Sequence, residues 1–169
     1  NSGLVVEIHP EDVLSAPSND PLALMNWIER LEGESWTQAR CSLRAPAQRM
    51  TDFLSGRSSV DLPKSSYNMG LTPSRLDEWL PSFITKRIQK AFQLFDRQTK
   101  GFLTAEAQLI ALESRTSSPV RILRESTSCE HPLLRGLFPC GEGAGYAGGI
   151  VSAAMDGERC AEGVASYLG

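Results

Sequence analysis

The stretch that most constrains this chain is Gly136-Leu-Phe-Pro-Cys-Gly-Glu-Gly-Ala-Gly-Tyr-Ala-Gly-Gly-Ile150. Leu137 to Cys140 is a short apolar run that predicts a buried strand. Glycines follow at positions 141, 143, 145, 148 and 149. From Ile150 to Leu168 the pattern predicts a helix, with Ile150, Ala153, Ala154, Gly157, Ala161, Val164 and Leu168 forming a face of mostly small residues. A strand, a glycine turn and a helix start together present free backbone N–H groups and a positive dipole end to an anionic or electron-rich ligand. Glycine suits such a turn because a Cβ would hold the ligand away from the main chain.

Gly143-Ala-Gly145-Tyr-Ala-Gly148 matches the G-x-G-x-x-G dinucleotide pattern. That pattern belongs in the first βα turn of its fold, with an acidic residue at the end of a following strand. Here the chain ends at Gly169, and the predicted helix takes up what remains. The block therefore reads as the last βα turn of a nucleotide-binding sheet. Glu142 then has a chemical role, because a carboxylate at a strand's carboxyl end accepts hydrogen bonds from ribose or ribityl hydroxyls.

The block from Gly136 through Asp156-Gly157 resembles the C-terminal flavin-contacting segment of the poorly characterised FAD-dependent dehydrogenases, often labelled NAD(FAD)-utilising dehydrogenases. The resemblance continues in Glu113-Ser-Arg-Thr-Ser-Ser-Pro-Val-Arg-Ile122, in Ala45-Pro-Ala-Gln-Arg49 with Asp52-Phe-Leu54, and in Asn1-Ser-Gly-Leu-Val-Val6. Family members are much longer, and their N-terminal half carries a first glycine fingerprint that this sequence lacks. Beginning at Asn rather than Met, the chain reads as a processed or partial one.

The resemblance implies an α/β fold, mixed α+β in this fragment. It would comprise the C-terminal βα portion of a doubly wound FAD/NAD(P)-binding domain plus part of an inserted substrate or cap domain. Residues 1–100 would be the inserted portion and 101–169 the return segment. It implies FAD as cofactor in the complete protein, a small-molecule redox substrate, NAD(P)H as a candidate partner, and a missing N-terminal FAD-binding half. The implied cofactor-binding residues are Gly141, Glu142, Gly143, Gly145, Tyr146, Ala147, Gly148, Gly149 and Ile150, joined by Arg115 and Thr116 from the polar loop. Arg115 offers a planar fork suited to a carboxylate or phosphate. No catalytic residue is assigned. The isolated chain is expected neither to bind FAD tightly nor to turn over. The competing class is a non-catalytic nucleotide- or phosphate-binding module, or a structural interaction module.

Other classes are disfavoured. The net charge of -3 gives no electrostatic case for nucleic acid or an anionic membrane. No apolar run approaches transmembrane length, and the N-terminus lacks a signal peptide's basic and apolar regions. Cys41, Cys129, Cys140 and Cys160 show no C-x-x-C spacing and read as free thiols of a reducing, cytoplasmic compartment, with no metal site. Cys129-Glu-His131 reads as an ordinary loop rather than a nucleophile and base. Walker A, G-x-S-x-G and H-E-x-x-H patterns are absent, as are repeats.

For the rest of the chain, Leu4–Ile8 predicts a strand and residues 15–20 a loop. Asp20 and Pro21 open a helix that Gly33 stops. Residues 35–45 fit either a strand or a helix extension. Ala45–Leu54 reads as a loop entering a helical turn, and residues 56–68 as a loop whose Arg57 and Lys64 are solvated. A long amphipathic helix follows, carrying Leu76, Trp79, Leu80, Phe83, Ile84, Ile88, Ala91, Phe92 and Phe95. Ser74 would cap it with Asp77, Pro81 would kink or split it, and Gly101 would close it. Leu109–Leu112 and Pro119–Arg124 predict strands.

Overall fold

The computed structural model describes residues 2–13 and 20–169, so most of the predicted loop 15–20 lies outside the described residues. The chain is mixed α+β. In order, it forms α1 (Pro10–Val13), α2 (Ala23–Gln38), β1 (Ala45–Arg49), α3 (Met50–Ser55), β2 (Leu71–Pro73), α4 (Leu76–Trp79), α5 (Ser82–Gln98), β3 (Gln108–Ile110) and α6 (Ile150–Leu168). The described residues fall into two compact units. One lies within Asn1–Asp12 and Trp27–Leu112, the other within Val13–Asn26 and Glu113–Gly169.

The first unit is built on a three-stranded sheet of order β2-β1-β3. β1 pairs in parallel with β2 (Ala45 opposite Leu71) and antiparallel with β3 (Ala47 opposite Ile110). α5 lays Ile84, Ile88 and Phe92 onto a core with Met50, Phe53, Leu76 and Leu80. Phe53 is fully buried and meets Phe92 edge to face, with ring centroids 6.3 Å apart. Gln48, also fully buried, is satisfied on both sides of its amide. Its Nε2 donates to Arg57 O and Asp77 Oδ1, and its Oε1 accepts from Asp77 N.

Several expectations hold. Asp20 caps α2 by accepting from Leu22 N at 2.9 Å. Pro81 splits the long helix into α4 and α5, because it has no N–H and its ring disfavours a helical residue before it. Asp96 closes α5 by accepting from Gly101 N and Leu103 N.

Others are corrected. Gly33 does not stop α2, which runs on to Gln38; nothing lies within 4 Å of a Cβ at that position, so the glycine only weakens an exposed turn. Ala45–Arg49 is the central strand rather than a loop. Ser74 does not cap α4. Its hydroxyl donates to Gln38 Oε1 and accepts from Trp79 Nε1, while Asp77 is bound to Arg75 and Gln48. β3 ends at Ile110, two residues before the predicted Leu112.

The predicted strands Leu4–Ile8, Pro119–Arg124 and Leu137–Cys140 are not strands here. A strand needs a neighbour to complete its ladder, and these segments satisfy their backbones otherwise. Glu7 O accepts from Arg87, Leu137 N donates to Leu134 O, and Ile122 N makes a single bond to Ala144 O. Leu137 is exposed rather than buried.

α6 spans the predicted residues, but its inward stripe is centred one step from the predicted face. Asp156, Cys160 and Gly163 face the unit together with Ala153, Gly157 and Val164 of the predicted face, while Ile150, Ala154, Ala161 and Leu168 are exposed. At Gly163 a Cβ would stand 2.3 Å from Ser128 O, so only glycine allows that approach.

Candidate functional site: the glycine loop at the start of α6

The second unit holds the glycine block as an irregular loop ending at α6. The segment 118–124 runs along it. Ile122 N donates to Ala144 O at 3.1 Å, and Arg121 Nε donates to Gly145 O at 3.0 Å. Within the loop, Gly145 N donates to Glu142 O and Tyr146 N to Gly141 O.

Its root is an ion pair. Arg124 and Asp156 side chains are 5% and 11% exposed and meet at 2.5 Å, with a second bond of 2.9 Å. Gly141 N also donates to Asp156 Oδ2 at 2.9 Å, so the carboxylate ties α6 to the first residue of the loop. The Arg124 guanidinium, with help from Gly141 N–H, holds the Asp156 carboxyl at about 2, below the usual carboxylate range. The hydrogen bond to Asp156 raises Arg124 in turn, against the opposing effect of burial. The guanidinium lies 3.6 Å from the centre of the Tyr146 ring, a close cation–π contact. The Tyr146 hydroxyl donates to Ile122 O at 2.9 Å. Tyr146 is thus engaged in holding the loop by its ring and its hydroxyl.

The glycines divide by cause. Gly141 and Gly145 have φ of +72° and +83°, which an L side chain rarely adopts. At Gly145 a Cβ would also lie 2.6 Å from Val120 O. Those two are required by the chain's own geometry. Gly143, Gly148 and Gly149 are different. Gly149 is extended at φ −155°, and the other two lack the left-handed conformation. A Cβ would meet nothing within 4 Å at Gly143, Ser117 Oγ at 3.9 Å at Gly148, and Ser152 Oγ at 3.6 Å at Gly149. Neither strain nor crowding inside the protein demands glycine at these three positions.

Gly149 caps α6. Its N–H donates to Ser152 Oγ, and its carbonyl accepts from Ala153 N–H and the Ser152 hydroxyl. Ile150 behind it is 91% exposed. Glu142 is exposed, and Ala147 is half-buried. In the polar loop, Arg115 and Thr116 are exposed and Ser117 reaches Gly148. The structure therefore brings the polar loop and the glycine block together at Ser117 and Ser118, the latter 3.4 Å from Gly143 O. The Arg124–Asp156 root was not read from the sequence as part of the site, although the two residues were visible as charges flanking the block.

Elsewhere, His131 Nδ1 accepts from Leu133 N and Leu134 N, so the histidine caps a turn. Arg57 pairs with Asp52 at 3.4 Å. All four cysteines are free thiols. Among the described residues, no helix is long and apolar enough to cross a membrane.

Fold and site together define a mixed α+β chain that carries a glycine turn at a helix N-terminus. The chain belongs to the family described as FAD-dependent protein, C-terminal domain-like, which matches residues 1–116. The glycine block lies beyond those matched residues. The chain is also 38% identical over 164 residues to an uncharacterised protein of Clostridium beijerinckii. That alignment takes in 96% of this chain, and so the glycine block, but 30% of the relative's length.

Proposed function

We propose that this chain supplies one wall of the flavin site of an FAD-dependent oxidoreductase. The observation that carries this is the second class of glycines. Gly143, Gly148 and Gly149 leave open main chain that the protein's own packing does not require. A cofactor pressed against the backbone would require it. Membership of an FAD-dependent family supplies the class of ligand.

The residues fit part of such a cofactor. Glu142 accepts hydrogen bonds from ribityl or ribose hydroxyls. The main chain from Ala147 to Ile150 would hold the ring system, with Arg115 and Thr116 bordering it from the polar loop. The amides of Ile150 and Val151 start α6, and with its dipole they favour negative charge by about 0.3–1 kcal/mol. FAD, when bound, supplies the redox chemistry. The chain's own part is to position it and stabilise charge at its edge.

On this reading residues 1–100 belong mainly to an inserted substrate or cap domain, and 101–169 return to a doubly wound FAD domain. On the same reading, the relative's further length would hold a first glycine fingerprint and strands to pair with Pro119–Arg124 and Leu137–Cys140. A small redox substrate and NAD(P)H would be met by the whole protein, in the cytoplasm.

The test is a chimera in which this chain replaces the segment that it matches in the relative. The purified chimera should carry flavin, and Gly148→Val should lower its FAD affinity at least tenfold while far-UV circular dichroism stays unchanged. Full flavin retention in Gly148→Val sinks the reading. Titrating the 169-residue chain with FAD and with ADP separates the competing class: equal affinity for both favours a phosphate-binding module.

A further inference from the structure

Three of the four cysteines converge beneath the glycine loop. The Cys140 sulfur, the Cys160 sulfur and an Asp156 oxygen all lie within 4.8 Å of one another. Cys129 is buried beside Cys160, close enough to help burial push the Cys160 thiol up, while the Cys160 sulfur faces Pro139 O at 3.8 Å. Such a set invites a divalent metal, but the Arg124 guanidinium already occupies it. It binds both oxygens of Asp156 and lies 3.0 Å from the Cys160 sulfur. A second cation there would face a fixed positive charge and a carboxylate already bound by Arg124 on both oxygens and by Gly141 N–H.

We infer that Cys140 and Cys160 are a reversible thiol–disulfide pair, a redox modification site at the root of the glycine loop. The two thiols differ in the way such a pair requires. Cys140 is exposed and meets an oxidant first, while Cys160 is 4% exposed. Burial pushes the Cys160 thiol up to about 11, which protects it from direct oxidation. Closing a disulfide of about 2.05 Å from this separation needs an approach of at most about 2.8 Å.

The oxidant is a peroxide. The Cys140 sulfur, as thiolate, attacks one peroxide oxygen; the S–O bond forms as the O–O bond breaks, and the released hydroxide takes the thiol proton to leave as water, giving a sulfenic acid. The Cys160 sulfur, with Arg124 N–H beside it to stabilise developing thiolate, then attacks the sulfenic sulfur. The S–S bond forms as the S–O bond breaks, and the hydroxyl leaves as a second water with the Cys160 proton. Two thiols lose two electrons and two protons, and the peroxide gains them.

The cross-link would fasten the loop's first residues to α6 at the point where Gly141 N–H and Asp156 hold it now. The inference stands independently of flavin binding.

Trypsin separates the thiols onto three peptides, residues 125–135, 136–159 and 160–169, because cleavage follows Arg124, Arg135 and Arg159. The folded chain is treated with hydrogen peroxide, blocked with iodoacetamide and mapped by mass spectrometry. The expected product links 136–159 to 160–169 and is reversed by dithiothreitol. It persists in Cys129→Ser and disappears in Cys160→Ser, where Cys140 should accumulate as sulfenic and sulfinic acid. Circular dichroism of each variant checks that it folds. A wild-type link between 125–135 and 160–169, or Cys140 over-oxidised with no link, overturns the proposal.

Discussion

The two units are held together by different physics. The first closes on an aliphatic and aromatic core, with Phe53 and Leu76 fully buried and α5 laid across them. In the second, the buried apolar positions among the described residues are Ala144, Cys129 and Cys160, with Pro139 beside them. Its order comes from polar ties: Arg124 to Asp156, Asp156 to Gly141 N, Tyr146 to Ile122 O. Meanwhile Leu133, Ile150, Val151 and Met155 are turned outward. The second unit thus keeps its loop by charge while leaving large apolar side chains exposed, the reverse of the first.

The comparison breaks most visibly at the first core. Phe53→Ala removes a fully buried ring and should cost about 3–5 kcal/mol. Calorimetry should show a large fall in the melting transition. Hydrogen exchange should place the loss in α3, α4 and α5, with the amides of the glycine loop unchanged. Loss of protection at Gly141 to the same extent would mean that the two units unfold as one.

The second unit should respond to charge instead. Asp156→Asn leaves a buried guanidinium without its anion, and should cost about 3 kcal/mol in that unit. Replacing both partners, Arg124→Met with Asp156→Leu, should cost less than the single change, because no buried charge is then left alone. If the single and double variants melt alike, the pair contributes nothing specific and the loop is held by its backbone bonds.

Acid gives a smaller, graded version of the same experiment. The Asp156 carboxyl sits at about 2 when folded, against an ordinary value of 3.8. Folding therefore binds fewer protons than unfolding at this site. The stabilisation is complete above about pH 4 and is lost as pH falls towards 2. Exchange at Gly141 N–H should quicken across that window before amides near Phe53 change. Simultaneous loosening of both regions would remove Asp156 as the cause.

What was legible in the sequence follows the same division. α5 could be read because Ile84, Ile88 and Phe92 keep helical spacing, and its start because Pro81 cannot continue a helix. α6 could be read from the glycines before it. β1 could not be read. Ala-Pro-Ala-Gln-Arg has no β-branched or aromatic residue and carries a proline, yet it is the central strand. Pro46 keeps its place by contributing only its carbonyl, which accepts from Ala111 N. The opposite failure occurred at Leu4–Ile8 and Leu137–Cys140, where strand-like composition found no partner. Composition reports what a segment tolerates, while pairing depends on what lies beside it. The position of the glycine loop was visible, but the Arg124–Asp156 root was not. Nothing in the spacing of two charges 32 residues apart announces that they will meet beneath a tyrosine ring.

The smallest expected effect is the one that sharpens the comparison most. Ile150 is 91% exposed at the first position of α6. Ile150→Ser should leave the stability of this chain within about 0.5 kcal/mol, since exposed substitutions that break no contact seldom do more. If the outward face of the second unit serves only solvent, the same change should be silent in the chimera with the longer relative as well. If that face is covered there, the change removes a buried isoleucine. It should then lower the chimera's melting temperature by several degrees, with the isolated chain as the control. A side chain that is neutral alone and costly in the longer polypeptide marks the surface where the second unit finds the apolar partner that the first unit already has within itself.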